Sequence, residues 1–349
     1  MRPITASRRA VLAGALATPM LWSRARAQGG ELVVRTSGGA AEDIMRRAIY
    51  EPFQRATGIR VIPVAATTSR IFAMLRARNM EIDVLETGDG VLITLDKMGA
   101  LAPIAYDRWR FTRPEEIMPN LRLPTRTGTF IYSTVMGYST EAFPNGTNPK
   151  SWAEFWDVAR FPGRRTLADV ASGQTHLEFA LLADGVPRER LYPIDLDRAF
   201  RSLSRIRPHV PKFWDTGALS AQMLVDKEAV AGAIWSGRLQ TVIDRNLPFA
   251  AEWNQNMLMI QAFSIMKDAR NMEAAQRFVD FASQAEVQAA YGRDFRYGPA
   301  NTRAYDLMPR EMLPELPGAA RSVDLGFWQD ADWWDVNRER VARTWARWI

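Results

Sequence analysis

Residues 31–65 read ELVVRTSGGAAEDIMRRAIYEPFQRATGIRVIPVA, and this stretch decides the predicted fold. Its first six residues, 31–36, are rich in Leu and Val and are typical of a strand. Residues 40–57 place their apolar side chains on one face of a helix, and Gly58 follows as the expected C-cap. A second strand is predicted over 59–65. The order strand, helix, strand indicates a parallel pair of strands joined by a helical crossover.

The same alternation continues along the chain. A helix is predicted over 69–78, a strand over 82–85, and a turn at Thr87–Gly90 that leads into another helix ending near Met98. Ser151 begins an S-x-x-E capping box. The other predicted elements are strands at 130–138, 165–169 and 258–266, and helices at 176–183, 196–207, 274–281, 286–292 and 332–348. Over 227–234 a short helix or turn is predicted to lead into a strand. The sequence therefore predicts an α/β protein with mainly parallel sheets flanked by helices.

The first 27 residues are predicted to be a twin-arginine signal peptide. Arg8 and Arg9 precede an uncharged apolar run over 10–22, which is too short to span a bilayer, where roughly 20 residues are needed. The motif Ala25–Ala27 is a small-x-small cleavage signal. A general secretory signal with a chance arginine pair is the alternative. Both interpretations predict export to the periplasm, with cleavage after Ala27.

Composition narrows the function classes. The formal charge of +6 includes five arginines within residues 1–27, so the predicted mature chain carries only +1. This does not favour nucleic-acid binding, which requires a basic surface on the folded domain. The chain has no cysteine, which excludes disulfides, thiolate metal sites and cysteine nucleophiles. Its length predicts about two domains.

Four segments resemble the spermidine/putrescine-binding proteins and related ABC-importer binding proteins. They are Glu51–Val61, with its T-G-I-x-V ending; Asn148–Trp156, which contains P-K-S-W-A-E-F-W; Ala233–Gly237, with its W-x-G ending; and Asp332–Trp334 together with Trp345. The segments keep their order in that family. On one face of the last predicted helix, Trp334, Val341, Trp345 and Trp348 are interpreted as packing residues.

The resemblance implies a type II periplasmic binding fold with two α/β lobes and a ligand cleft between them. Lobe 1 is expected over 31–135 plus 261–308, and lobe 2 over 136–260 plus 309–349. Two hinge crossovers are expected, near Val135 and Ile260. The implied function is a substrate-binding component that captures a small polar solute by hinge closure and delivers it to an ABC transporter permease. It is expected to act as a monomer.

Candidate ligand-binding residues lie where strands end and helices begin, because ligands of open α/β sheets bind at the carboxyl ends of strands. Glycines at these places allow a ligand to approach the backbone. The resemblance adds two aromatic positions, Trp235 and Tyr297, and one position on the 258–266 strand, Gln261. The full set of candidates is Ser37, Gly38, Gly39, Asp89, Ser172, Trp235, Gln261 and Tyr297, with Thr87, Thr175, Trp214 and Trp253 as weaker candidates.

Departures from the family pattern argue against a classical polyamine ligand. Polyamine binders hold each ammonium group with carboxylates, but Ser37–Gly39, Ser172, Thr175 and Gln261 stand where acids are expected. Asp89 is the one acid placed in the cleft. Helix N-termini that face a cleft favour a carboxylate or a phosphonate. The ligand class therefore stays open between a polyamine-like amine and these anions.

Other classes receive less support. A hydrolase is not favoured, because His176 and His209 are the only histidines and no G-x-S-x-G motif surrounds Ser172. Neither a Walker motif nor a dinucleotide motif is present, and no cofactor or metal is predicted. A sensor that presents its loaded form to a membrane receptor is the remaining alternative to an importer component.

Overall fold

The computed structural model describes residues 30–349, so the predicted signal peptide lies outside the described residues. The strands are β1 (Glu31–Thr36), β2 (Arg60–Ala65), β3 (Val84–Gly88), β4 (Leu101–Ala102), β5 (Arg122–Leu123), β6 (Arg126–Ser139), β7 (Arg165–Ala168), β8 (Phe213–Trp214), β9 (Ala231–Trp235), β10 (Phe249–Met266), β11 (Gly298–Pro299) and β12 (Phe327–Trp328).

The α-helices are α1 (Gly39–Met45), α2 (Glu51–Thr57), α3 (Thr68–Arg76), α4 (Asp89–Lys97), α5 (Trp152–Trp156), α6 (Leu177–Ala183), α7 (Leu196–Ile206), α8 (Gly217–Val225), α9 (Ser236–Ile243), α10 (Met272–Ala282), α11 (Ala285–Phe295), α12 (Ala320–Leu325) and α13 (Ala331–Trp348). Among residues 30–349, none of these helices combines the length and the apolar character needed to span a bilayer.

The strands form one sheet with the order β2-β1-β3-β10-β6-β9-β7-β8. The three strands at one end, β2, β1 and β3, are parallel, and so are β9, β7 and β8 at the other end. Between these blocks lie the two longest strands, β6 and β10, which pair antiparallel with each other over most of their length. The chain thus forms two parallel blocks joined through a central antiparallel pair.

The opening helical segment matches its prediction in extent. α1 and α2 are continuous through one wide π-helical turn, Arg46–Tyr50, and Gly58 ends α2 with φ of 72°, as expected for a left-handed C-cap. Pro52 lies in the first turn of α2 and has no N–H to donate to the preceding turn. Pro52 therefore explains why the hydrogen bonds of the preceding turn are π-helical, although the helix continues through it.

The predicted turn at Thr87–Gly90 is wrong. β3 extends to Gly88, and α4 begins directly at Asp89. Thr87 and Gly88 are held in the sheet by antiparallel pairing with Ala262 and Gln261 of β10. This pairing is remote in sequence, so the local glycine pattern alone could not indicate it. As a result, the N-terminus of α4 lies at the carboxyl edge of the sheet.

The hydrophobic core consists of several clusters on both sides of the central strands. The largest two contain Phe53, Phe263 and Phe278 in one case, and Trp152, Phe179 and Phe200 with part of α13 in the other. In α13, Trp345 packs edge-on against Phe213, as the packing interpretation of this helix predicts. Trp334, on the same face, is buried in the same core cluster and also borders the cleft described below.

Candidate ligand-binding cleft

A cleft of about 590 Å³ lies at the carboxyl ends of β3 and β9. The residues that surround it include the N-terminus of α3, the β3–α4 junction, the loop 172–174 and one face of α13, with the central strands behind them. Aromatic residues form much of its wall, namely Phe72, Tyr132, Trp235 and Trp334. Charged residues at its rim come from α13, namely Asp335, Arg338 and Glu339. The cleft therefore combines an apolar wall with a charged edge, as small-molecule sites commonly do.

Three of the eight main candidates line this cleft, and these are Asp89, Ser172 and Trp235. Their neighbours Gly88 and Gly173 line it as well. The structure brings them together because the β3–α4 junction, the loop after β7 and the β9–α9 junction all open toward the same side of the sheet. The expectation that ligand contacts cluster at strand ends thus selects residues that meet in space.

Two other main candidates lie directly behind the lining. Gln261 pairs with Gly88 across the β3–β10 ladder, and its side-chain oxygen lies 3.7 Å from where a Gly88 Cβ would be. Tyr297 is stacked on Phe130, with ring centroids 5.1 Å apart, and also packs against Tyr132. Both side chains support residues of the cleft wall.

Ser37, Gly38 and Gly39 are placed outside the lining. The two glycines have φ of 76° and 59°, so this segment is a tight turn that requires glycine. The Ser37 hydroxyl accepts a hydrogen bond from Arg35 at 3.3 Å. The short helix α1 that follows does not reach the cleft.

The weaker candidates are buried. Trp214 donates its indole N–H to the carbonyl of Ala233 and supports Trp235 from below, with ring centroids 5.5 Å apart. Trp253 lies in a separate core cluster with Val135 and is not part of the lining. Thr87 and Thr175 are buried beside lining residues. Aromatic type alone could not distinguish the two core tryptophans from Trp235.

Asp89 already has a partner within the protein. Its carboxylate forms an ion pair with Arg126 of β6, and both side chains are largely buried. Burial raises the pKa of Asp89, although the charge and hydrogen bond of Arg126 oppose the shift. Because the pair is internally neutralised, Asp89 offers little net charge to a ligand. Sequence reasoning missed Arg126, which is remote from Asp89 in sequence.

Arg338 is the most informative lining residue that sequence reasoning missed. Its guanidinium donates to the carbonyl of Gly173 at 2.9 Å, and it lies 3.1 Å from where a Cβ on Gly90 would be. The adjacent acids on α13, Asp335 and Glu339, pair with Lys97 and Arg343 instead, so Arg338 makes no ion pair among residues 30–349. Arg338 follows Trp334 by four residues and so lies on the same face of the helix, and this spacing could have indicated that both residues face the cleft.

The N-terminus of α4 faces the same place. Gly88 is its N-cap and provides no side-chain cap, so the first backbone N–H groups of the helix have no capping acceptor from that residue. These N–H groups and the helix dipole attract anions. Gly90 brings this helix end against the Arg338 guanidinium. The arrangement can therefore hold one negatively charged group between α4 and α13.

The histidine and serine of the loop do not form a catalytic pair. His176 is fully buried, which lowers its pKa to about 3, and its Nδ1 accepts from the backbone N–H of Ala168. The Ser172 hydroxyl lies within hydrogen-bond distance of two carbonyl acceptors, those of Asp169 and Gln174. Nucleophile and base are thus engaged elsewhere. Among residues 30–349, no group of three or more His, Asp or Glu side chains is placed to hold a metal ion.

A buried acid lies below the cleft. Glu86 on β3 is buried, and its carboxylate lies 3.9 Å from the Arg35 guanidinium. Burial raises the pKa of Glu86 from 4.5 to about 6, against the opposing effects of Arg35 and Gln261. The folded state therefore favours the protonated carboxyl relative to the unfolded chain.

This carboxyl should reduce stability as the pH rises. Between pH 4.5 and 6 the folded protein holds a proton that the unfolded chain has released, so the free energy of unfolding falls by roughly 2 kcal/mol over this range and then levels off. Urea unfolding of the wild type and of Glu86→Gln at several pH values isolates this contribution. The difference in the free energy of unfolding between the wild type and Glu86→Gln should change by roughly 2 kcal/mol between pH 4.5 and 6. Parallel stability curves would contradict the prediction.

Comparison with known proteins gives the family. The model of the bacterial extracellular solute-binding proteins matches residues 48–318, which is most of the chain. The chain belongs to this family. The γ-aminobutyric acid-binding protein of Pseudomonas aeruginosa is 30% identical over 319 residues, which cover 88% of this chain and 89% of that protein.

Solved structures agree with this assignment. An ABC transporter substrate-binding protein from Bradyrhizobium japonicum aligns with a TM-score of 0.84 at 29% identity, over 92% of this solute-binding protein and 100% of that chain. AgtB of Agrobacterium tumefaciens, in complex with agropinic acid, aligns with a TM-score of 0.76 at 27% identity. The alignment covers 92% of this chain and 98% of AgtB. The predicted type II periplasmic binding fold is therefore confirmed. This protein is a substrate-binding component of an ABC transporter.

Proposed function

We propose that this protein captures a small carboxylate-bearing solute in the cleft and delivers it to the permease of an ABC importer. The observation that carries the proposal is Arg338, a cationic side chain without an ion pair among the described residues, held against the uncapped N-terminus of α4. A carboxylate there would accept charge-assisted hydrogen bonds from the guanidinium and from backbone N–H groups. The aromatic wall would cover the rest of the solute.

The relatives support an acidic ligand. The Pseudomonas aeruginosa relative is named for binding γ-aminobutyric acid, and AgtB was solved with agropinic acid. Both ligands are acids by name. A classical polyamine lacks the group that Arg338 and α4 would hold, and Asp89, the acid at the inner wall, is paired with Arg126. Polyamines are therefore expected to bind weakly.

Isothermal titration calorimetry tests this proposal. Short carboxylates, including 4-aminobutyrate, butyrate and succinate derivatives, are titrated beside putrescine and spermidine. At least one carboxylate should bind in the micromolar range, while the polyamines give no heat at the same concentrations. Micromolar binding of spermidine together with no carboxylate binding would overturn the proposal.

Hinge closure should accompany binding. We propose lobes over 31–135 plus 261–308 and over 136–260 plus 309–349, joined through β6 and β10, which contain the expected hinge positions Val135 and Ile260. A ligand that bridges α4 and α13 contacts both lobes and favours the closed state. Small-angle scattering should show a smaller radius of gyration with a saturating carboxylate than with putrescine. An unchanged radius at saturation would exclude closure.

Export completes the proposal. We propose that residues 1–27 direct the chain to the periplasm through the twin-arginine route, that cleavage follows Ala27, and that the mature protein acts as a monomer. Mass spectrometry of the exported protein from a wild-type strain and from a strain without twin-arginine export tests both the cleavage position and the route. Recovery of the mature form from the deficient strain would show the general secretory route instead.

A further inference from the structure

We infer that the second polar group of the ligand is neutral and both donates and accepts hydrogen bonds, as a carboxamide does, and that Gln174 and Trp235 recognise it. This inference rests on the proposed function, because it takes the carboxylate to be held by Arg338 and α4. Gln174 and Trp235 lie in the part of the cleft that remains once the carboxylate is bound.

The acids that line the cleft are all engaged with cations of the protein. Asp89 pairs with Arg126, Asp335 pairs with Lys97 at 2.9 Å, and Glu339 lies exposed on the rim, 3.4 Å from Arg343. An ammonium group that enters the cleft would have to compete with a resident cation for a carboxylate. A buried cation without a free carboxylate partner is costly, so the geometry disfavours a second charged group.

Unpartnered polar atoms show what the cleft wall offers instead. The Gln174 side-chain oxygen and the Trp235 indole N–H belong to lining residues, and neither has a hydrogen-bond partner among residues 30–349. Gln174 is only 6% exposed, and the neighbouring Ser236 hydroxyl is also buried without a partner. Buried polar groups in proteins are nearly always paired, because an unpaired group loses its hydrogen bonds to water without compensation. The unpartnered atoms of the two lining residues, Gln174 and Trp235, point to an external partner.

The chemistry of these atoms selects the partner. One of them is an acceptor and the other is a donor, so a matching ligand group needs both an N–H or O–H and a free lone pair. An ammonium group has donors only and would leave the Trp235 N–H unmatched. Gln174 directly follows Gly173, whose carbonyl binds Arg338, so the neutral group and the carboxylate would be held side by side. An amido acid or a hydroxy acid meets both requirements.

The wild-type test compares ligands that share a four-carbon carboxylate chain. Succinamate, 4-hydroxybutyrate, 4-aminobutyrate and butyrate are titrated by calorimetry into the same protein. Succinamate or 4-hydroxybutyrate should bind at least about 10-fold more tightly than 4-aminobutyrate. Tighter binding of 4-aminobutyrate than of both neutral analogues would overturn the inference, although the proposed function would stand. If none of the four binds at millimolar concentration, the proposed function itself fails.

A charge change at Gln174 gives the second test. Gln174→Glu places a free carboxylate at this wall with almost no change in size, so it should favour 4-aminobutyrate over succinamate and reverse the wild-type order. Gln222→Glu adds the same charge on the exposed side of α8 and should leave the order unchanged. An unchanged order in a folded Gln174→Glu protein would overturn the assignment of Gln174. If this variant does not fold, the wild-type series still decides.

Discussion

Replacing Arg338 with alanine should weaken carboxylate binding by about 100-fold. The guanidinium has no ion pair among the described residues and lies beside Gly90 at the start of α4. Hydrogen bonds to charged groups contribute about 1.5–3 kcal/mol, and each 1.4 kcal/mol changes an affinity tenfold. Without Arg338, the carboxylate would retain only the helix N-terminus, which is not enough to offset its desolvation.

Calorimetry with the tightest carboxylate measures this loss. Arg340→Ala is the matched control, because Arg340 is an exposed arginine of the same helix that does not line the cleft. Arg338→Lys should give an intermediate loss, since lysine keeps the charge but not the planar fork that matches a carboxylate. If Arg338→Ala binds every carboxylate within threefold of the wild type, the carboxylate must be held elsewhere in the cleft.

Gly298→Ala should cause the largest loss of stability. Gly298 lies in β11, where it pairs with Ile131 of β6, and an added Cβ would be 1.6 Å from the carbonyl oxygen of Pro317. That atom belongs to the backbone, so no side-chain rotation can relieve the overlap. Overpacking typically costs about 1–3 kcal/mol and occasionally more, and an overlap this close with a backbone atom places the loss at the upper end of that range. A backbone movement that relieves this overlap would also displace the adjacent Tyr297, which supports the cleft wall by packing against Tyr132.

Thermal and urea unfolding test this prediction. Gly88→Ala is a suitable control, because an added Cβ there would meet only ordinary contacts at 3.7 Å and its backbone is extended. The control should stay within about 1 kcal/mol of the wild type. A Gly298→Ala protein with unchanged stability would mean that the segment around Pro317 can move freely away from β11.

Local signals in the sequence predicted many of the elements, but not α8, α9, α12 or the first half of β10. β1 has the predicted bounds 31–36, Gly58 ends the first long helical segment, and the Ser151 side chain caps the backbone N–H of Glu154 at 3.2 Å. Each of these features depends on residues within a few positions of one another. The family resemblance supplied the arrangement of lobes, which no local pattern contains.

The cleft was predictable only in part, because its key contacts join remote segments. Asp89 was placed correctly at the end of β3, yet its partner Arg126 is 37 residues away. Lys97 and Asp335 are 238 residues apart. Ser37–Gly39 and Gly88–Gly90 look alike in sequence, but only the second segment faces the cleft, because pairing with β10 sets the end of β3. Glycine spacing cannot distinguish the two cases.

The strand order has a consequence for synthesis. β10 lies between β3 and β6, although it follows both of them, as well as β7, β8 and β9, along the chain. Until residue 266 leaves the ribosome, the nascent chain holds two half-sheets that cannot join, each with an unpaired edge. Exposed edges of this kind promote aggregation of incomplete chains. Chains that end before β10 are therefore expected to aggregate more readily than the full-length protein.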